Sequence, residues 1–162
     1  MNSLTALAVL GVLSTAALVS ADQDHHSTLD QRGAAVMGFD QQQTTHHFLL
    51  FQDGGAIDVS VKNPSDTANR DAIRSHLPHI AGLFSAGNFD APMLVHESAS
   101  VPGTSVMAAR KDLVRYRYTA TPRGGRIDIT TTDAEALAAV HTFLKFQIAD
   151  HKTGDPTTIK TR

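Results

Sequence analysis

The sequence predicts an α+β fold: a two-layer sandwich in which a four-stranded antiparallel sheet carries two helices on one face. Three observations lead there. Two segments, Thr44–Val61 and Val114–Ile129, read as β-hairpins around tight-turn residues. Each is followed by a stretch whose apolar residues recur at helical spacing. Gly54-Gly55-Ala56-Ile57-Asp58-Val59 is also echoed by Gly124-Gly125-Arg126-Ile127-Asp128-Ile129, which reads as a duplicated ββα unit.

Residues 1–21 are set apart from the fold. The apolar run Leu4–Val19 would span about 24 Å as a helix, short of the roughly 30 Å hydrocarbon core. Val19-Ser20-Ala21 then supplies small residues of the kind a signal peptidase reads, so a cleaved secretory signal is expected, and with it a periplasmic or secreted protein. The chain has no cysteine, which excludes disulfides, thiolate ligands and lipoprotein attachment. Residues 22–43 are polar and are expected to be a mobile leader, with one short packed turn at Ala34–Phe39.

A single domain is expected over 44–155. Its first hairpin runs from the apolar Phe48–Phe51 through Asp53-Gly54 into Ile57, Val59 and Val61, alternating with Asp58 and Ser60. His46 and His47 are adjacent on a strand, so they point to opposite faces and do not share one site. Asn63-Pro64 stops the strand and Ser65 or Asp66 caps a helix whose core stripe is Ile73, Leu77, Ile80 and Phe84. His76 and His79 stand three apart on that helix, within reach of one ion, with Pro78 between them expected to kink it.

Gly87–Thr104 is irregular, with Met93–Glu97 expected as a short strand bringing Met93 and His96 together. After the second hairpin, Thr132-Asp133-Ala134-Glu135 has the form of a capping box. The helix it opens, to about Asp150, aligns Leu137, Val140, His141, Leu144, Ile148 and His151. Residues 156–162 are expected to be a disordered tail.

Three stretches carry a resemblance: Thr44-Thr45-His46-His47-Phe48, Arg70–Leu77, and Phe146-Gln147-Ile148-Ala149-Asp150-His151-Lys152-Thr153-Gly154-Asp155. Over about Arg32 to Asp155 the chain resembles a group of small exported bacterial proteins. The resemblance implies export and the domain boundaries rather than an activity.

Composition narrows the functions. A formal net charge of -2 with scattered lysines and arginines argues against nucleic-acid binding. Nine histidines against two tyrosines and no tryptophan is the one unusual feature. Imidazole suits copper and zinc and thioether suits copper, so a metal-binding protein is the leading expectation. Its candidate ligands are His47, His76, His79, His96, His141 and Met93, with Met107 as a further soft donor and Glu97, Asp71 and Asp150 as orienting carboxylates. Non-covalent haem on His141, a His-based metal-assisted hydrolase and a non-catalytic interaction module are the alternatives. In the last, Tyr116 and Tyr118 with Arg115 and Arg117 would form an exposed patch, and the partner could equally be a second copy of the chain.

Overall fold

The computed structural model describes residues 27–162, so the expected signal peptide lies outside the described residues. The sheet is formed by β1 (Thr44–Phe51), β2 (Gly54–Val61), β3 (Val114–Thr121) and β4 (Gly124–Thr131), all antiparallel, in the order β1-β2-β4-β3. One face carries the helix layer. This is the α+β architecture that the two hairpins and two amphipathic stretches predict.

The two hairpins superpose in sequence without a gap. Each strand of the second lies 70 positions after its counterpart, Thr44–Phe51 against Val114–Thr121 and Gly54–Val61 against Gly124–Thr131. β2 and β4 pair with Ile57 opposite Ile127, so equivalent residues face each other at the centre of the sheet. The flanking glycines are required by that closeness. A Cβ on Gly54 would lie 2.1 Å from the Ile129 carbonyl oxygen, and one on Gly124 would lie 2.1 Å from that of Val59.

Helix α2 (Thr67–Ser85) is capped by Asp66, whose carboxylate accepts from the Asn69 N–H at 3.1 Å, and runs on through Pro78. Helix α5 (Ala134–Asp150) is capped by Asp133 rather than Thr132, accepting from the Ala136 N–H at 2.8 Å. Glu135 therefore does not close a capping box; it pairs with Arg110. Each long helix covers the other unit's hairpin: α2 packs on β3 and β4, and α5 packs chiefly on β1 and β2. The buried stripe of α5 is rotated from the expected one and includes Ala139, Phe143 and Gln147, while Leu137 and His141 lie at its margin.

Three expectations are corrected. Residues 27–37 are helix (α1), with Leu29 at 1% exposure, and Phe39 after it is buried at 4%. The segment is polar in composition but supplies a few large apolar side chains, and those suffice to dock it. Met93 lies in a short helix, α3 (Asp90–Val95), not in a strand; Asp90 and Pro92 at its start suit a helix N-terminus. The tail is not loose either. Lys160 bridges to Phe51 in parallel, and the Arg162 guanidinium bonds Asp53 and Asp128 and sits 4.5 Å from the Phe51 ring centroid. A further short helix, α4 (Thr104–Ala109), buries Met107.

Candidate functional site

The expected ligand set is not gathered in one place. His47 is exposed on β1 and donates from Nδ1 to Asp155 Oδ1 at 2.8 Å. His141 donates from Nε2 to the carbonyls of Phe51 and Gly54, 2.9 and 3.0 Å away, and so fastens the first hairpin turn to α5. His79 is exposed, His76 is half-buried with its ring edge toward Phe39, and Met93 packs against the core. Among the described residues no group of three or more His, Cys, Asp or Glu side chains is arranged to hold a metal ion. The supposed orienters serve differently too: Asp71 pairs with Arg70 and Glu97 with Arg32, and only Asp150 orients a histidine.

What the fold assembles is a different cluster, made of the two motifs at opposite ends of the chain. Strand alternation turns His46 toward the helix layer and His47 away from it, as expected. His46 stacks between Phe39 and His151, with ring centroids 5.9 and 6.0 Å away and planes within 20° and 19°. His96 meets His151 edge-on at 5.0 Å, and Phe146 flanks His96 at 4.9 Å. A row of imidazoles thus runs from β1 across the end of α5 to the end of α3.

Local backbone geometry presents two of these rings. His96 and His151 each follow the last residue of a helix, and each is succeeded by a non-glycine residue of positive φ, Glu97 at 49° and Lys152 at 51°. At α5 the Thr153 N–H reaches back to the Ile148 carbonyl, the closing bond of a Schellman turn. Glycine normally takes the left-handed position in such a turn. The sequence places a lysine there, in a conformation that costs side-chain-bearing residues about 1 kcal/mol.

The imidazoles differ in how they are satisfied. His96 is buried and donates from Nδ1 to Asp150 Oδ2 at 2.5 Å, while its Nε2 lies 3.0 Å from Gln147 Oε1. Both bonds form with this amide orientation only if both ring nitrogens carry protons. A neutral ring requires the amide reversed, which would also give a partner to the Gln147 nitrogen, otherwise buried and unpaired. His46 Nε2 is likewise buried without a partner. Burial, and secondly the charge of His47, push the His46 pKa from 6.5 down to about 4, so this ring is neutral near pH 7. Burial also lowers His76, helped by the charge of His79. At Asp155 burial alone would raise the carboxyl, but hydrogen bonds from Thr153, the Phe48 N–H and His47 hold it below its ordinary value.

His46, His96, His151 and Gln147 line one end of a cavity of about 50 Å³ between the sheet and the helix layer. The rest of its wall is apolar, including Phe48, Ile57, Leu77, Ile127 and Phe143. On the outer side of His46 and His151 lies an open polar cleft of about 350 Å³, bordered by Asp30, Thr45, His47, Lys62, Lys152 and Thr153. Among the described residues, those two rings alone border both spaces.

Of this cluster the sequence singles out only His96 as a ligand and Asp150 as its orienter. His47 rather than His46 is the expected ligand on β1, and His151 appears in the sequence only as the end of the α5 stripe. The signal that finds the site is the pair of motifs behind the resemblance, Thr44–Phe48 and Phe146–Asp155, which meet across the β1–α5 contact. No protein-family model matches the chain, and no curated protein or solved structure does.

Proposed function

We propose that this protein is a ligand-binding domain that takes a small, mainly apolar molecule with one polar group into the cavity beside His46. The observation that carries this is His46: its ring lines an apolar cavity, and its Nε2 is buried and has no partner on a ring held neutral by burial. Leaving such an atom unpaired costs about 1–3 kcal/mol, which a bound hydroxyl, carbonyl or water would recover. Gln147 supports the reading, since its amide also has an end in need of a partner. At about 10–15 Å³ per water-sized position, the cavity accommodates a group of roughly four such positions. That is well below the ~300–1,000 Å³ of drug-sized sites, and a haem has no place in it.

The test is a titration of the protein with 1-butanol, followed by ¹⁵N resonances of the histidine rings. Saturable shifts at His46 and His151, with none at the exposed His79, are the expected result. His46→Phe should weaken binding about fivefold, the worth of one hydrogen bond. No saturable shift at any ring would mean that the cavity is only a packing gap.

Copper or zinc binding is a second proposal, moved from the expected ligands to His46, His96 and His151. The three rings are neighbours, with centroids 5.0 and 6.0 Å apart, but as they stand they do not form a metal-binding group. Binding requires the rings to turn and His96 to release Gln147. Stoichiometric uptake of Zn(II), abolished in His46→Phe, would establish it, and uptake unchanged in that variant would remove it. Export remains a proposal from the N-terminal apolar run, checked by recovery of the cleaved chain outside the cytoplasm.

A further inference from the structure

The two edges of the sheet are protected by different means. β3 turns Arg115 and Arg117 outward, both exposed, and charge of this kind discourages a second strand from pairing there. β1 carries no such residue. Thr44–Phe51 holds only threonine, histidine, phenylalanine and leucine, with no Asp, Glu, Lys, Arg, Pro or Gly. An uncharged run of this composition is the kind that pairs most readily with another chain.

β1 is covered instead by residues 153–162. The Asp155 carboxylate accepts from the Phe48 N–H at 2.9 Å. Lys160 donates its N–H to the Leu50 carbonyl and accepts from the Gln52 N–H, both at 3.0 Å, as a parallel partner of Phe51. Arg162 then fastens the segment to Asp53 and Asp128 and to the carbonyls of Gly55 and Ile129. Between these points it buries little, since residues 156–161 are exposed and Ile159 keeps half its surface in water. A segment held by a few polar contacts opens at lower cost than the strands beneath it.

We propose that residues 156–162 are a strap guarding the β1 edge, and that their release lets β1 pair antiparallel with β1 of a second copy of this chain. The product is a two-fold dimer with one continuous eight-stranded sheet. A second copy is the partner that this strand fits. Because β1 is uncharged, pairing with itself sets no like charges side by side, whereas β3 would bring Arg115 and Arg117 against their own copies. Two identical strands related by a two-fold axis are self-complementary, and the assembly closes at two chains because only the arginine-bearing β3 edges stay outside.

The experiment measures mass by light scattering after size-exclusion chromatography, for the wild-type chain and for Lys160→Pro/Arg162→Ala across a concentration series. Proline removes the N–H given to Leu50 and alanine removes the guanidinium, both on exposed residues that leave the core untouched. The variant should dimerise about tenfold more tightly than the wild type. Hydrogen exchange at residues 44–51 should slow as it does so. Adding Leu49→Lys, which places a charge on the outer face of β1, should return the variant to a monomer. Equal self-association of wild type and variant would overturn the strap. A dimer that persists with Leu49→Lys, or growth beyond two chains, would overturn the β1–β1 pairing.

Discussion

β1 and β3 occupy equivalent places at opposite edges of the sheet, and the two ends of the molecule they define are used differently. Tyr116 on β3 is the counterpart of His46 on β1, 70 positions on, and both point into the helix layer. Each carries a buried polar atom with no partner, Tyr116 Oη and His46 Nε2, and burial pushes each toward its neutral form. Around Tyr116 aromatic rings pack together. Phe84 meets it at 5.8 Å, and Phe89 stacks on Phe84 at 4.6 Å. Around His46 the end of α5 supplies Gln147, Asp150 and His151 instead, and a cavity remains. One end of the sheet is packed with aromatic rings, and at the other imidazoles stand beside a cavity. An unpaired buried atom can take a bound group only where there is room beside it.

The comparison presumes a shared scaffold, and the largest expected effects test that. Gly54→Ala and Gly124→Ala each drive a methyl group into a carbonyl across the β2–β4 seam, and each should cost at least about 3 kcal/mol in chemical denaturation. Tolerance of either would mean that the seam is looser than its register requires.

The two ends should next separate by pH. The unfolded chain protonates His46 near 6.5 and the folded chain only near 4, so its contribution is complete above pH 6.5 and is lost as pH falls through this window to 4. The loss should be on the order of 2–3 kcal/mol in the wild type and should shrink in His46→Phe. His76 titrates in the same direction, and His47, His96 and His151 surround the ring, so the difference between the two proteins is the quantity to measure. Identical pH profiles would show that His46 is not held neutral by the fold.

A smaller effect sharpens the contrast from the other end. Tyr116→Phe deletes a buried hydroxyl that has no partner, so stability should hold or rise by up to about 1 kcal/mol, with ligand binding untouched. Destabilisation by more than that would reveal a partner for the hydroxyl. Smallest is Lys152→Gly, which relieves the left-handed backbone after His151 and should stabilise by about 0.5 kcal/mol in thermal melts.

The fold was legible because period-two and period-3.6 patterns are local, and Gly54-Gly55 and Gly124-Gly125 flag the same hairpin twice. His46 and His47 were correctly separated onto opposite faces by the same alternation. The site was less legible because its parts are joined by tertiary contact alone. Nothing within α5 indicates that His151 will meet a strand residue more than a hundred positions earlier. Gln147 reads as a polar interruption of an apolar stripe until its burial is known. Tyr116 and Tyr118 read as exposed beside two arginines. They face the helix layer instead, because their register with Ile129 and Ile127 puts all four on the inner face. Arg115 and Arg117 remain outward on an edge strand, where charge discourages pairing with another sheet.

The most direct test of the cavity end against the aromatic end is a pair of methyl NMR spectra of the protein with and without dissolved xenon, an apolar atom that enters small dry cavities. The account predicts saturable shifts at Ile57, Leu77 and Ile127, which line the cavity, and none at Val114 or Ala120 on the Tyr116 edge. Equal shifts at both ends, or none at either, would contradict it.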